Sequence, residues 1–159
     1  MAQRSRRLGV LHNGLEQAPL RRLLRQFERY QFSDLDIMPH HCDSDESRMR
    51  RCIGTADVLL LDTCLVSHGN LWHYVRTNLN GPCALWAEEL DPWTVRRIEA
   101  LGLRHRFSIV LTPTAGRHSL PNRGRVLPVD CDDSAYRAAL ALRSMFPTPA
   151  QYGENSCPY

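Results

Sequence analysis

The chain has 159 residues, of which 43% are hydrophobic, and a formal net charge of +3 at pH 7. This length and composition fit one globular domain with a real core, and so small a net charge makes no case for nucleic-acid binding. All 20 basic residues are arginine, which excludes Schiff-base, phosphate-loop and general-base chemistry by lysine.

Apolar spacing predicts strands that alternate with helices along the whole chain. A helical stripe of Leu20, Leu23 and Phe27 is typical of an amphipathic helix, whereas the unbroken apolar run before Asp62 is typical of a strand buried on both faces. In chain order the sequence predicts a strand over 7–11, a helix over 15–30, a strand over 34–39, a helix over 44–53, a strand over 56–62, a helix over 68–81, a strand over 82–87, a helix over 91–102, a strand over 106–113, a loop over 112–128 with a short extended segment at 126–129, and a helix over 132–146.

Capping residues set the expected ends of these helices. Ser44 or Asp45 can cap the second helix, which Gly54 is expected to end. The fourth helix has Asp91 as its N-cap and Pro92 at its first position, and the last helix has Asp132 or Asp133 as its N-cap.

This alternation predicts an α/β fold with a parallel sheet and helices on both faces. Five strands in about 140 residues fit the flavodoxin-like order 2-1-3-4-5, a three-layer sandwich. We expect one domain over 1–146, followed by a tail over 147–159 with the composition of a linker.

Membrane segments, export signals and metal motifs are not evident. No apolar run reaches transmembrane length and the start lacks the apolar block of a signal peptide, so a cytoplasmic protein without membrane contact is expected. Reduced thiols follow from that location. The run His40, His41 and Cys42 lacks a second close pair of ligands, so we expect no metal and no cofactor.

Polar residues follow three of the predicted strands at the edge where such sheets bind ligands. His12 and Asn13 follow the first strand, Asp62 and Thr63 end the third, and Glu88 follows the fourth. In the order 2-1-3-4-5 the strand order reverses between strands one and three, and ligands bind at that point. These five residues are therefore the predicted switch-point pocket.

The stretch "ADVLLLD" over 56–62 resembles the third strand of a response-regulator receiver (CheY-like) domain, and the resemblance extends over about 7–146. It implies that Asp62 stands at the phospho-accepting position. The stretch "CALWAEELDPWTVRRIEALG" over 83–102 is similar to the receiver-like part of ANTAR-type antiterminator regulators. Those regulators carry an RNA-binding helical segment after the receiver, for which we expect no room here.

This chain departs from the receiver pattern at each supporting position. The family has an acidic pair after strand one that holds magnesium, where this chain has His12 and Asn13. It has Ser or Thr at the end of strand four, here Ala87, and a lysine after strand five, a residue type this chain lacks. Magnesium prefers hard oxygen ligands, so Asp62 should react poorly and the resemblance implies a degenerate pseudo-receiver.

Three functional interpretations follow. The first is a non-catalytic signalling or transcription-regulating module that binds a protein partner or forms a homodimer, with Trp93, Val95 and Ile98 as the candidate partner face, although Trp93 also fits core packing. In this interpretation Asp62 has either a residual ligand role or only ends the strand and caps local amides.

The alternatives are an enzyme and a nucleic-acid binder. A small nucleotide-processing enzyme, similar to nucleoside deoxyribosyltransferases or TIR domains, would use Asp62 with Glu88 or Glu89 as catalytic carboxylates. Nucleic-acid binding is the weakest interpretation and would depend on arginines around the fifth strand: Arg104, Arg106, Arg117, Arg123 and Arg125.

Overall fold

The structure is a computed structural model that describes residues 6–14, 18–29, 35–41, 45–63, 69–78, 81–88, 92, 96, 107–113 and 125–146. Strands and helices alternate along these segments, as the sequence predicts. In chain order they are β1 (Arg6–His12), α1 (Ala18–Arg29), β2 (Leu35–His41), α2 (Glu46–Thr55), β3 (Val58–Asp62), α3 (Gly69–Asn78), β4 (Cys83–Trp86), β5 (Phe107–Thr112), β6 (Arg125–Pro128) and α4 (Asp132–Ser144).

The strands form one parallel sheet with the order β2-β1-β3-β4-β5-β6. The predicted flavodoxin-like fold and the order 2-1-3-4-5 are confirmed, and the strand order reverses between β1 and β3. The sheet has a sixth strand, because the short segment predicted at 126–129 pairs with β5, Val126 beside Val110 and Leu127 beside Leu111.

Strand β3 lies at the centre of the core and is buried on both faces. Its side chains alternate between two apolar clusters, as the geometry of a strand requires. Leu59 and Leu61 pack in the cluster that includes residues of α2 and α3, whereas Val58 and Leu60 pack in the cluster that includes residues of α1 and α4. Each fully buried side chain of this size stabilises the fold by about 1.5–3 kcal/mol.

Two helix ends differ from the sequence prediction. Asp45 is the N-cap of α2 as expected, and its carboxylate accepts a hydrogen bond from the backbone N–H of Ser47 at 3.0 Å. The helix does not end at Gly54 but continues to Thr55, because an exposed glycine tolerates helical backbone. The N-cap of α4 is Cys131, and not Asp132 or Asp133, which lie in the first turn.

A reciprocal capping box explains that correction. The Cys131 thiol accepts from the backbone N–H of Ser134 at 3.5 Å, and the Ser134 hydroxyl accepts from the backbone N–H of Cys131 at 3.0 Å. Asp132 and Asp133 then place two negative charges at the positive end of the helix dipole.

Several predicted segments lie outside the described residues. Of the helix predicted over 91–102, the structure describes only Pro92 and Arg96, and it describes nothing of the tail predicted over 147–159. Among the helices that are described, none combines the length and the apolar character needed to cross a membrane.

Candidate functional site

The two strands that flank the reversal of strand order end in His12 and Asp62. Leu11 of β1 pairs with Leu61 of β3, so the residues that follow them, His12 and Asp62, lie level with each other on adjacent strands. Neighbouring strands are about 4.8 Å apart. The structure therefore brings together the two buried polar members of the predicted pocket at the edge where α/β sheets bind ligands.

The same level of the sheet extends by one strand in each direction. His12 pairs with His41 at the end of β2, and Asp62 pairs with Trp86 at the end of β4. We call the four residues His41, His12, Asp62 and Trp86 the strand-end row. Its members come from four adjacent strands, so no local sequence motif contains them.

The strand-end row lies on the face of the sheet that α1 and α4 cover. The preceding residues, Leu11, Leu61 and Leu85, belong to the apolar cluster on the α2 and α3 face. Successive side chains of a strand point to opposite faces, and Trp86 indeed belongs to the cluster formed with α1 and α4. His12 and Asp62 share that orientation.

Burial divides the residues of the predicted pocket into two groups. His12 is 6% exposed and Asp62 is 4% exposed, and Trp86 beside them is 1% exposed. In contrast, Asn13 and Glu88 are exposed. The outer residues are therefore available to solvent, while His12, Asp62 and Trp86 lie under the surface.

Two buried polar atoms of the strand-end row lack a hydrogen-bond partner among the described residues, Nδ1 of His12 and Nε1 of Trp86. Buried polar groups are nearly always paired, and one left unpaired costs about 1–3 kcal/mol. The Oδ2 oxygen of Asp62 is buried between them in the row. Two buried polar atoms without such partners at one level of one sheet face require an explanation, and a binding site is one.

The environment of His12 favours the neutral form of its imidazole. Burial lowers the pKa of His12 below its usual value of 6.5, and the positive charges of His41 and His40 lower it further. The rings of His12 and His41 meet edge to face, with their centroids 5.5 Å apart and their planes at 89°. A neutral imidazole offers one nitrogen as donor and the other as acceptor.

The residues that end the strands beside Asp62 are mostly not metal ligands. Within the described part of the chain no group of three or more His, Cys, Asp or Glu residues could hold a metal ion, and Cys42 lies outside it. Ala87 follows β4 and Thr112 ends β5. Their exposed fractions are 0% and 1%.

The described cysteines, Cys52, Cys83 and Cys131, are free thiols. Burial raises the pKa of Cys52 to about 11 and raises the pKa of Cys83 further. Cys131 is exposed, and its hydrogen bonds with Ser134 lower the pKa of its thiol. Neither buried thiol forms an available thiolate at neutral pH.

Sequence reasoning missed Trp86 and His41 as members of the site. It placed Trp86 inside a buried strand and considered His41 only as a metal ligand. The signal that identifies both is the register of the sheet, since each is the last residue of its strand. The predicted residues Glu89, Trp93, Val95 and Ile98 lie outside the described part of the chain.

Comparisons with known proteins assign the chain to no family. No protein-family model matches the chain, and no curated protein matches it. A solved structure described as a yeast Spc42 trimeric coiled-coil segment fused to another structure aligns with 98% of this chain and 92% of that chain, at a TM-score of 0.49 and 10% identity. So remote a similarity supports no conclusion about fold or function.

Proposed function

We propose that this chain is a receiver-like regulatory module that acts through protein contacts and in which Asp62 is a degenerate phosphorylation site. The observation that carries this proposal is the position of Asp62, at the carboxyl end of the central strand and only 4% exposed. The carboxylate has the place in the sheet that the resemblance assigns to a phospho-acceptor. It lacks the access that a phosphodonor needs for in-line transfer.

The residues around Asp62 support the degenerate character. A working site needs hard oxygen ligands for magnesium and positive charge at the transferred phosphoryl group. After β1 the chain offers a buried imidazole, His12, and an exposed amide, Asn13. The methyl group of Ala87 and the hydroxyl of Thr112 supply neither a cation nor a carboxylate.

Incubation with a small phosphodonor and Mg²⁺, followed by intact-mass measurement, tests the phosphorylation part. We expect no stable mass gain in the native chain or in Asp62→Asn. A gain of one phosphate that disappears in Asp62→Asn would contradict the proposal and make this a working switch. Exposed Glu46→Gln is the matched control, since it removes a carboxylate outside the site.

A separate experiment tests the proposal that the module acts through protein contacts. The candidate partner face at Trp93, Val95 and Ile98 motivates this proposal, and light scattering at micromolar concentration measures self-association. Affinity purification from the native cell with mass spectrometry then identifies any other protein bound. A strict monomer that captures no protein would contradict the module.

A nucleotide-processing enzyme is the second candidate, and one observation favours it. Asp62 is buried, and Glu88, two residues after its pairing partner Trp86, is exposed at the same edge. Two carboxylates in such different surroundings can divide acid and base roles. Turnover of nicotinamide dinucleotides or nucleosides that is lost in Glu88→Ala would favour this enzyme over the module.

A further inference from the structure

Two neighbouring cavities lie between α1 and the start of α4, and charged or polar side chains line both of them. The first cavity has a volume of about 280 Å³ and is lined by Arg21, Arg22, Arg25, Gln26 and Asp132. The second has a volume of about 510 Å³ and is lined by Arg25, Gln26, Glu28, Arg29 and Asp132. Because three residues line both, the two cavities are adjoining parts of one groove.

The first cavity has an excess of positive charge. Its described lining has three arginines and one carboxylate, a formal charge of +2, whereas that of the second cavity has two of each and is formally neutral. A phosphate monoester has a charge of about −1.5 to −2 at pH 7. The first cavity therefore matches a phosphate group in the sign and the size of its charge.

Protein carboxylates leave most of this positive charge uncompensated. Arg22 is held in place, with its Nε atom 3.5 Å from the carboxylate of Asp132 and its Nη1 atom donating to the carbonyl of Asp130 at 2.7 Å. Within the described part of the chain, Arg21 and Arg25 form no ion pair. They lie on adjacent turns of α1, where like charges repel, and an anion beside them would relieve that repulsion.

A buried amide adds a neutral hydrogen-bond donor to the arginines. Gln26 lines both cavities although it is only 4% exposed. Its Nε2 atom donates to the carbonyl of Arg22 at 3.4 Å, which is longer than a usual N–H···O bond. Arginine and amide N–H groups are common ligands of phosphate oxygens, so this buried donor distinguishes the cavity from a patch of solvated arginines.

We propose that the first cavity binds a phosphate dianion, either free or as the terminal group of a small ester. Arg21 and Arg25 supply the positive charge and Gln26 donates a further hydrogen bond. The formally neutral second cavity has room for the rest of an ester. This binding is non-covalent and uses none of the residues of the strand-end row, so the mass measurement on Asp62 does not decide it.

Isothermal titration calorimetry at constant ionic strength tests the proposal with three ligands. Inorganic phosphate is the free dianion, ribose 5-phosphate is a small ester, and ribose is the neutral counterpart of that ester. We expect saturable one-to-one binding of at least one phosphate compound and none of ribose. A higher affinity for the ester than for inorganic phosphate would identify an ester as the ligand, and an equal or lower affinity would identify the free ion.

Three variants with changes at exposed positions separate the cavity from general charge effects. Arg25→Gln should weaken phosphate binding about tenfold or more, the loss expected for a hydrogen bond to a charged group. Arg48→Gln removes an exposed arginine of α2 outside both cavities and should leave the affinity unchanged. Asp132→Asn should strengthen binding several-fold, because it removes a carboxylate that repels the anion and retains the N-cap Cys131.

Four results would overturn the proposal. They are the absence of saturable binding by either phosphate compound, equal binding of ribose and ribose 5-phosphate, and equal losses in Arg25→Gln and Arg48→Gln. The fourth is binding of a single-stranded oligonucleotide in place of both small phosphates, which would assign these arginines to a nucleic acid. The ligand comparisons use the native chain, so they decide the matter even where a variant does not fold.

Discussion

At the scale of single residues, His12 makes the stability of the protein depend on pH. Its pKa in the folded state is lowered from 6.5 by burial and by His41 and His40, so the unfolded chain binds more protons as the pH falls through 6.5. The stability that the neutral imidazole of His12 contributes is fully present above pH 6.5. It is lost as the pH falls through the lower pKa that His12 has in the folded state. We expect the free energy of unfolding, measured by urea denaturation across this range, to fall with pH, and His12→Asn to reduce that slope.

The opposite pH dependence would arise if Asp62, the acidic neighbour of His12 in the strand-end row, stabilised the protonated imidazole. The pKa of His12 would then be raised in the folded state, and the free energy of unfolding would increase as the pH falls. An increasing free energy of unfolding below pH 6.5 would thus contradict a neutral His12. His73→Asn, at an exposed position of α3, is the control and should leave the slope unchanged.

At the scale of elements, two glycines on neighbouring elements give opposite predictions. A Cβ at Gly9 in β1 would lie 2.9 Å from each of three side-chain atoms, in Cys52, Ala56 and Leu59. Gly9→Ala should therefore destabilise the fold by about 1–3 kcal/mol through overpacking between β1 and α2. Gly54 lies inside α2 with open space around it, so Gly54→Ala should stabilise by about 0.5–1 kcal/mol.

Urea denaturation of the two single variants measures both effects. A neutral Gly9→Ala would show that β1 and α2 can move apart without cost. A destabilising Gly54→Ala would show that this position does not have helical backbone in solution.

The sequence pattern predicts the helices and strands more accurately than it predicts the residues at which they end. Periodicity identifies α2 and Asp45 correctly because a side-chain cap is a local property of the chain. It places the end of α2 at Gly54 wrongly, since an exposed glycine tolerates helical backbone and the helix continues to Thr55. Cys131 was missed as a cap because cysteine is rarely one, and here the reciprocal bond from Ser134 decides.

At the scale of the whole molecule, the fold was predictable but only half of the candidate site was. Strand ends place His12 and Asp62 at one edge once the order 2-1-3-4-5 is assumed. Trp86 and His41 join them through register, which depends on pairings between distant segments that no local pattern encodes. Burial likewise separates Asp62 from Glu88, although both simply follow apolar strands in the sequence.

The three-layer arrangement predicts that adjacent residues of the central strand contribute equally to stability. Leu59 and Leu60 are each 0% exposed and pack in opposite apolar clusters, one including α2 and α3 and the other α1 and α4. Leu59→Ala and Leu60→Ala should each lower the free energy of unfolding by about 2–5 kcal/mol, measured by urea denaturation. Leu140 on α4 is 42% exposed, so Leu140→Ala should cost far less. A large loss for only one of the two β3 variants would mean that the sheet has one covered face, because a strand open on one side exposes every second side chain.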